Sequence, residues 1–186
     1  MNQIGLNLPN TITLLRLLAA PLVIWLILGG CYGMAFWVFV AAGVSDGIDG
    51  YIAKRFDMRT RLGALLDPIA DKALLASVFV SLGFESKLPD WLVILVVFRD
   101  VMIVGGYMLI QVTAAARQFD PLYISKINTA VQIALVSFVL ARLGIGFSDG
   151  PITPILVWAV AVTTVLSGGS YFVRWARILA GAEPAV

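Results

Sequence analysis

The sequence predicts an all-α protein that crosses a membrane with six helices, a single domain over residues 1–186. Three observations carry this. Hydrophobic residues make up 60% of the 186, only 13% are charged, and the mean hydropathy is +0.95. An ordinary soluble domain is about 45–50% apolar and about 25% charged. The apolar residues gather into runs of roughly 20, the length that spans a hydrocarbon core. Gly, Pro and charged clusters fall between those runs.

The first helix starts at Pro9-Asn10 and runs to about Leu28, where Gly29-Gly30 ends it. Pro in the first turn and Gly past the end follow the usual asymmetry of helix termini. Asn10, Thr13 and Arg16 recur every three residues and form a polar stripe along it. Arg16 then either snorkels to headgroups or lines a polar wall of an internal cavity. A second span runs from about Tyr32 to Arg55, a third from Gly63 to Gly83 and a fourth from Trp91 to Ala116. The fifth covers Tyr123 to Leu143 and the sixth Ile152 to Arg174, entered through Pro151 and Pro154. Trp91, Tyr123, Tyr171 and Trp175 stand at presumed ends, as interfacial aromatics do.

Six spans place both termini on one side. The loop between spans two and three holds Lys54, Arg55, Arg59 and Arg61; Arg117, Lys126, Arg174 and Arg177 fall on the same side. The opposite loops hold Lys87 with Glu85 and Asp90, and Arg142 with Asp149. Basic residues stay in the cytoplasm, so that side is expected to be cytoplasmic. Residues 1–9 lack the basic start of a signal peptide and the Arg-rich pattern of a transit peptide. A multi-pass protein of the bacterial inner membrane is expected, with the mature form of an organelle protein as the alternative.

Within this apolar chain, Asp46, Asp49, Asp67 and Asp71 are out of place. Asp46 and Asp49 are three apart and Asp67 and Asp71 four apart, so each pair shares a helix face. Ionisable groups in membrane spans are costly and point to function. Four converging carboxylates repel one another unless positive charge sits between them. With no histidine in the chain, an all-oxygen site suits Mg²⁺ or Mn²⁺, as one or two ions. Lys54, Lys72, Arg99, Arg117 and Lys126 lie on the same side, and acids holding metal beside basic residues suit a phosphate-bearing substrate. Arg99 is followed by Asp100 inside an apolar run, so neither is a casual surface charge. A structural polar network would leave the four acids unexplained. Gly50, Ala53, Gly63 and Ala64 also fit ordinary close packing of membrane helices.

The stretch resembles the signature of the CDP-alcohol phosphatidyltransferases, D-x2-D-G-x2-A-R-x8-G-x3-D-x3-D. Here it reads Asp46, Asp49-Gly50, Ala53-Lys54, Gly63, Asp67 and Asp71 with every spacing kept. Lys54 stands where the family usually has Arg, which keeps a charge but not a bidentate fork. The resemblance implies six transmembrane helices, a homodimer and a site open to the cytoplasm. It implies Asp46, Asp49, Asp67 and Asp71 as metal ligands, with Asp71 also the general base. Gly50, Ala53, Lys54 and Gly63, with Asn10 and Thr13, would surround the CDP donor. Arg16, Arg59, Arg61, Arg99, Arg117 and Lys126 would hold phosphate on the acceptor side.

Outside the signature, PNTITLLR resembles the glycerol-lipid branch. Arg99-Asp100-Val101-Met102 and the run from Ile124 to Gln132 resemble eukaryotic-type cardiolipin synthases. The implied reaction transfers a phosphatidyl group from CDP-diacylglycerol to phosphatidylglycerol and releases CMP. Phosphatidylglycerophosphate synthase, with glycerol 3-phosphate as acceptor, is the alternative. A phospholipase D-like route to the same lipid needs a catalytic histidine, which this chain lacks. A divalent-cation transporter is the rival outside enzymes, but the acids cluster at one end of their helices with no matching acids opposite. Expected partners are the two lipids, the membrane and a second copy, without nucleic acid.

Overall fold

The computed structural model describes the backbone of residues 8–55, 61–113 and 123–179, and the side chains of 15–45, 72–106 and 123–175. Among the described residues there are six helices and no strand: α1 (Leu8–Leu28), α2 (Tyr32–Arg55), α3 (Arg61–Phe84), α4 (Asp90–Thr113), α5 (Tyr123–Ile145) and α6 (Ile152–Leu179). The all-α expectation holds among the described residues, and all six starts lie within two residues of those read from the sequence or coincide with them. The largest difference is the end of α6, which continues five residues past Arg174 to Leu179. The apolar run closes near Arg174, yet arginine is a good helix former and ends no helix by itself.

The chain divides into two compact units, Met1–Leu88 with Val136–Asp149, and Pro89–Leu135 with Gly150–Val186. In the first, α1 packs against both α2 and α3. Leu75, Val78, Phe79 and Leu82 are buried at the 3–4 spacing of one helix face. Val23 and Ile27 of α1, Ala35 and Phe39 of α2, and Val136, Val139 and Leu140 of α5 are among its other buried apolar residues.

The α1–α2 turn closes by a glycine cap. Gly30 has φ +72°, its N–H donates to Ile27 O at 2.9 Å, and the Cys31 N–H donates to Leu26 O at 2.8 Å. These two bonds satisfy carbonyls that the end of α1 would otherwise orphan. At its far end the unit has an ion pair, Arg142 Nη1 to Asp149 Oδ2 at 2.6 Å. In the second unit α4 packs on α6, and Gly106 makes room for the Trp175 ring.

Two helical stretches, Tyr123–Ile145 and Ile152–Trp175, are long and apolar enough to cross a membrane. Only 33% and 28% of their apolar windows are buried, unlike core helices of a water-soluble protein. Trp25, Trp37, Ile94, Phe98, Trp158 and Phe172 are all exposed. So much large apolar surface suits lipid and not water. The other described apolar stretches, Leu15–Leu28, Tyr32–Ser45 and Lys72–Phe84, are shorter, and the described part of α4 carries Asp90, Arg99 and Asp100.

Among the described glycines, the closest approach to another backbone is between α2 and α5 in the first unit. A Cβ on Gly144 would stand 2.5 Å from Gly33 Cα and 2.6 Å from its N, whereas a Cβ on Gly33 would meet Gly144 at 3.7 Å. Backbone cannot yield as a side chain can. Gly144→Ala is therefore expected to cost about 1–3 kcal/mol and Gly33→Ala far less, as measured by thermal denaturation in detergent.

Candidate functional site

The acids fall where helix formation puts them on two elements of one unit. Asp46 and Asp49 lie near the C-terminal end of α2, and Asp67 and Asp71 in the first half of α3. The two helices are consecutive and belong to the same unit. The side chains of Asp46, Asp49, Gly50, Ala53, Lys54, Arg61, Gly63, Asp67 and Asp71 lie outside the described residues, as do those of Asn10 and Thr13 on α1. Arg59 and Arg117 lie outside them altogether. Helical backbone through residues 46–55 and 61–71 does preserve the register that the acid spacing requires.

Arg16 is 4% exposed on α1, which itself packs on α2 and α3. That burial fits a polar wall inside the unit and not an arginine reaching out to headgroups. Lys72, directly after Asp71, is half-buried.

The second unit holds a buried polar seam. Arg99 on α4 is 2% exposed and Asp100 4%. Arg99 Nη1 meets Asp100 Oδ1 at 2.6 Å. Arg99 Nη2 donates to Ser125 Oγ on α5 at 2.7 Å and also to Ser167 Oγ on α6. Asn128, fully buried on α5, accepts through Oδ1 from Thr163 Oγ1 at 2.8 Å and from Thr164 Oγ1 at 2.9 Å. Ser125, Asn128 and Gln132 recur at steps of three and four along α5, as Thr163, Thr164 and Ser167 do on α6. Each set therefore forms a stripe on its helix.

Of the cations expected at the acceptor side, the structure brings Arg99 together with Asp100 and two serine hydroxyls. Lys126, one residue after Ser125, is exposed. Ser167, Thr163 and Thr164 were not singled out by sequence, although their 3–4 spacing on an apolar helix was the available signal. Asn128 and Ser125 were noticed only as part of a resembling run.

The model of the CDP-alcohol phosphatidyltransferase family matches residues 6–166. The human "Cardiolipin synthase (CMP-forming)" is 34% identical over 182 residues, covering 89% of this chain and 60% of that protein. The rice "CDP-diacylglycerol--glycerol-3-phosphate 3-phosphatidyltransferase 1, chloroplastic" is 31% identical over 191 residues, 93% of this chain and 58% of its own. A "Probable phosphatidylglycerophosphate synthase" of Mycobacterium tuberculosis is 32% identical over 186 residues, 94% and 84% respectively. The chain thus spans about three fifths of the length of the rice and human relatives.

Removing one partner of a buried ion pair leaves the other charge uncompensated, which costs about 3–5 kcal/mol. Asp100→Ala is expected to destabilise the protein on that scale, seen as early thermal unfolding. A stability within about 1 kcal/mol of wild type would show that the pair is not isolated from water.

Proposed function

Because the chain belongs to the CDP-alcohol phosphatidyltransferase family, we propose that it is a metal-dependent membrane transferase. In this reading it moves a phosphatidyl group from CDP-diacylglycerol to phosphatidylglycerol, forming cardiolipin and CMP. One observation carries the proposal. The complete acid motif, Asp46, Asp49, Asp67 and Asp71, sits with unbroken spacing on two consecutive helices of one unit.

The donor set fits a hard divalent cation, since it offers carboxylate oxygens and the chain has no imidazole. Asp46, Asp49, Asp67 and Asp71 would hold Mg²⁺ or Mn²⁺, two ions in the fullest case. Such ions, when bound, supply Lewis-acid neutralisation of the diphosphate. Asp71 would take the proton of the acceptor hydroxyl. The freed oxygen attacks the phosphorus that carries diacylglycerol. A new P–O ester forms, the P–O bond to CMP breaks, and CMP leaves with the bonding pair. Gly50, Ala53, Lys54 and Gly63, with Asn10 and Thr13, would surround the donor. The acceptor's phosphate falls to Arg16, Arg59, Arg61, Arg117, Lys126 and the Arg99 region.

The reading extends to topology. Six helices crossing the bacterial inner membrane, basic loops and motif facing the cytoplasm, and a homodimeric assembly accord with the charge distribution and the family. Exposed apolar surface on all the described helices supports a lipid environment.

Phosphatidylglycerophosphate synthesis from glycerol 3-phosphate is the second reading. The rice and mycobacterial relatives favour it, since they bear that reaction in their names at similar identity. Purified protein with CDP-diacylglycerol and Mn²⁺ or Mg²⁺, offered each acceptor separately, tests both. CMP and cardiolipin with phosphatidylglycerol support the first reading. CMP only with glycerol 3-phosphate moves the enzyme to the second, and CMP with neither removes both.

Asp71→Asn should lower kcat by at least about a hundredfold, the scale of general-base catalysis, while leaving thermal stability near wild type. Near-normal turnover would remove Asp71 as the base. Lys54→Arg should keep or lower the donor KM, because a guanidinium grips phosphate bidentately. A strong rise in that KM would assign position 54 some other task.

A further inference from the structure

We propose that Arg99 is a positioning residue, a latch across three helices that fixes the start of α5 so that Lys126 holds the acceptor's phosphate. The proposal rests on the acceptor reading above.

Three features of Arg99 separate it from a phosphate ligand. Its charge is already answered by Asp100 at 2.6 Å. Its Nη2 is shared between Ser125 and Ser167, on two further helices. Three of its five N–H groups are thus engaged, and Nε, one of the two donors left, is buried without a hydrogen-bond partner. An arginine that binds phosphate presents a fork of at least two free donors and an uncompensated charge. The charge of Arg99 is already paired and its Nε is buried, so it does not offer that open fork.

The same bonds suit a latch. A Cβ at Gly168 would lie 3.5 Å from Arg99 Cγ and 3.6 Å from Met102 Cε, so α6 runs directly along the arginine stem. The seam then holds α5 at two successive levels. Ser125 is tied through Arg99, and Asn128 three residues on accepts from Thr163 and Thr164. Lys126 lies between these two fixed points in the chain, and it is exposed while Asn128 is buried. An ammonium on a long flexible stem gains most when its backbone is already fixed, because less motion is lost on binding. Lys is also well suited to phosphate as a point charge. The latch thus prepares a cation for the acceptor without using its own charge.

The test is a double-mutant cycle in the full-length protein, in mixed micelles with saturating CDP-diacylglycerol. KM and kcat are measured for phosphatidylglycerol and, in a parallel arm, for glycerol 3-phosphate. Ser125→Ala and Ser167→Ala each remove one bond from Arg99 but keep the buried ion pair, so the fold survives. Arg99→Lys keeps the charge but cannot span both hydroxyls. Each of the three is expected to raise the acceptor KM roughly three- to tenfold, the scale of one lost bond to a charged group. The donor KM stays within about twofold. In a Lys126→Ala background the effect of each should largely vanish, the signature of coupled residues.

An Arg99→Lys effect that persists undiminished without Lys126 would overturn the latch and make Arg99 a direct ligand. Unchanged acceptor KM in the serine variants would also overturn it. So would a parallel rise of both KM values with lowered thermal stability, which marks a merely structural role. A wild-type protein that turns over neither acceptor would take down the acceptor reading and the latch together, which separates the two kinds of failure.

Discussion

A guanidinium removed from water must have its charge balanced and its N–H groups met, and the polar residues of the second unit are arranged around that demand. Arg99 is almost fully buried, next to Asp100, in a mostly apolar stretch of α4. Left alone, such a charge would cost several kcal/mol even after relaxation. Asp100 supplies the counter-charge, and α5 and α6 each supply a hydroxyl. Asn128 repeats the pattern with a neutral group, taking two threonine hydroxyls of α6. The seam is not fully met, since Gln132 is wholly buried and neither end of its amide has a hydrogen-bond partner. Among the described residues of this unit, it is the side chain with both polar atoms buried and unmet.

The first unit solves its packing differently. Its described core is apolar, apart from Arg16 and Ser81, and its closest approach is glycine on glycine between α2 and α5. In lipid, apolar side chains gain little by leaving hydrocarbon for protein, so close van der Waals contact has to supply the attraction. Gly144 permits that contact because nothing projects from it. The charges of this unit are then concentrated in the motif of α2 and α3 and its basic neighbours. On the reading proposed above, the arginine neutralised by its own neighbour would serve as architecture, and the four carboxylates set at helical spacing would hold cations from outside.

The helices were legible in the sequence because their ends are written in chemistry. Gly29-Gly30 closes α1 through a left-handed residue at Gly30, and Pro151 leads into α6. The end of α6 was less legible, since the helix continues past the apolar run to Leu179. The acid motif was legible because its spacing alone carries the meaning. The seam was only half legible. Arg99-Asp100 stood out as a charge pair in an apolar run, but its partners on α5 and α6 are 26 and 68 residues away. Which face of α6 meets which face of α5 is decided by packing, and no local pattern announces it. Arg16 shows the same limit, since its stripe with Asn10 and Thr13 allowed both a lipid-facing and an inward reading until burial decided.

The division between motif and seam bears on how one scaffold serves different alcohols. The human relative is named for cardiolipin and the rice relative for glycerol 3-phosphate, yet both align with about nine tenths of this chain. A shared donor needs the same diphosphate chemistry, so the acid motif cannot by itself choose the acceptor. The choice has to come from polar groups outside the motif. On the reading proposed above, the candidates among the described residues lie on α4, α5 and α6, where Arg99, Ser125, Asn128 and Ser167 join the helices and Lys126 is exposed. A residue that fixes a helix can alter which alcohol is held without touching it, because moving Lys126 by an ångström changes its reach to a phosphate more than replacing a distant contact would. On the reading proposed above, acceptor preference would then be a property of how the seam is tied as much as of any side chain that meets the substrate.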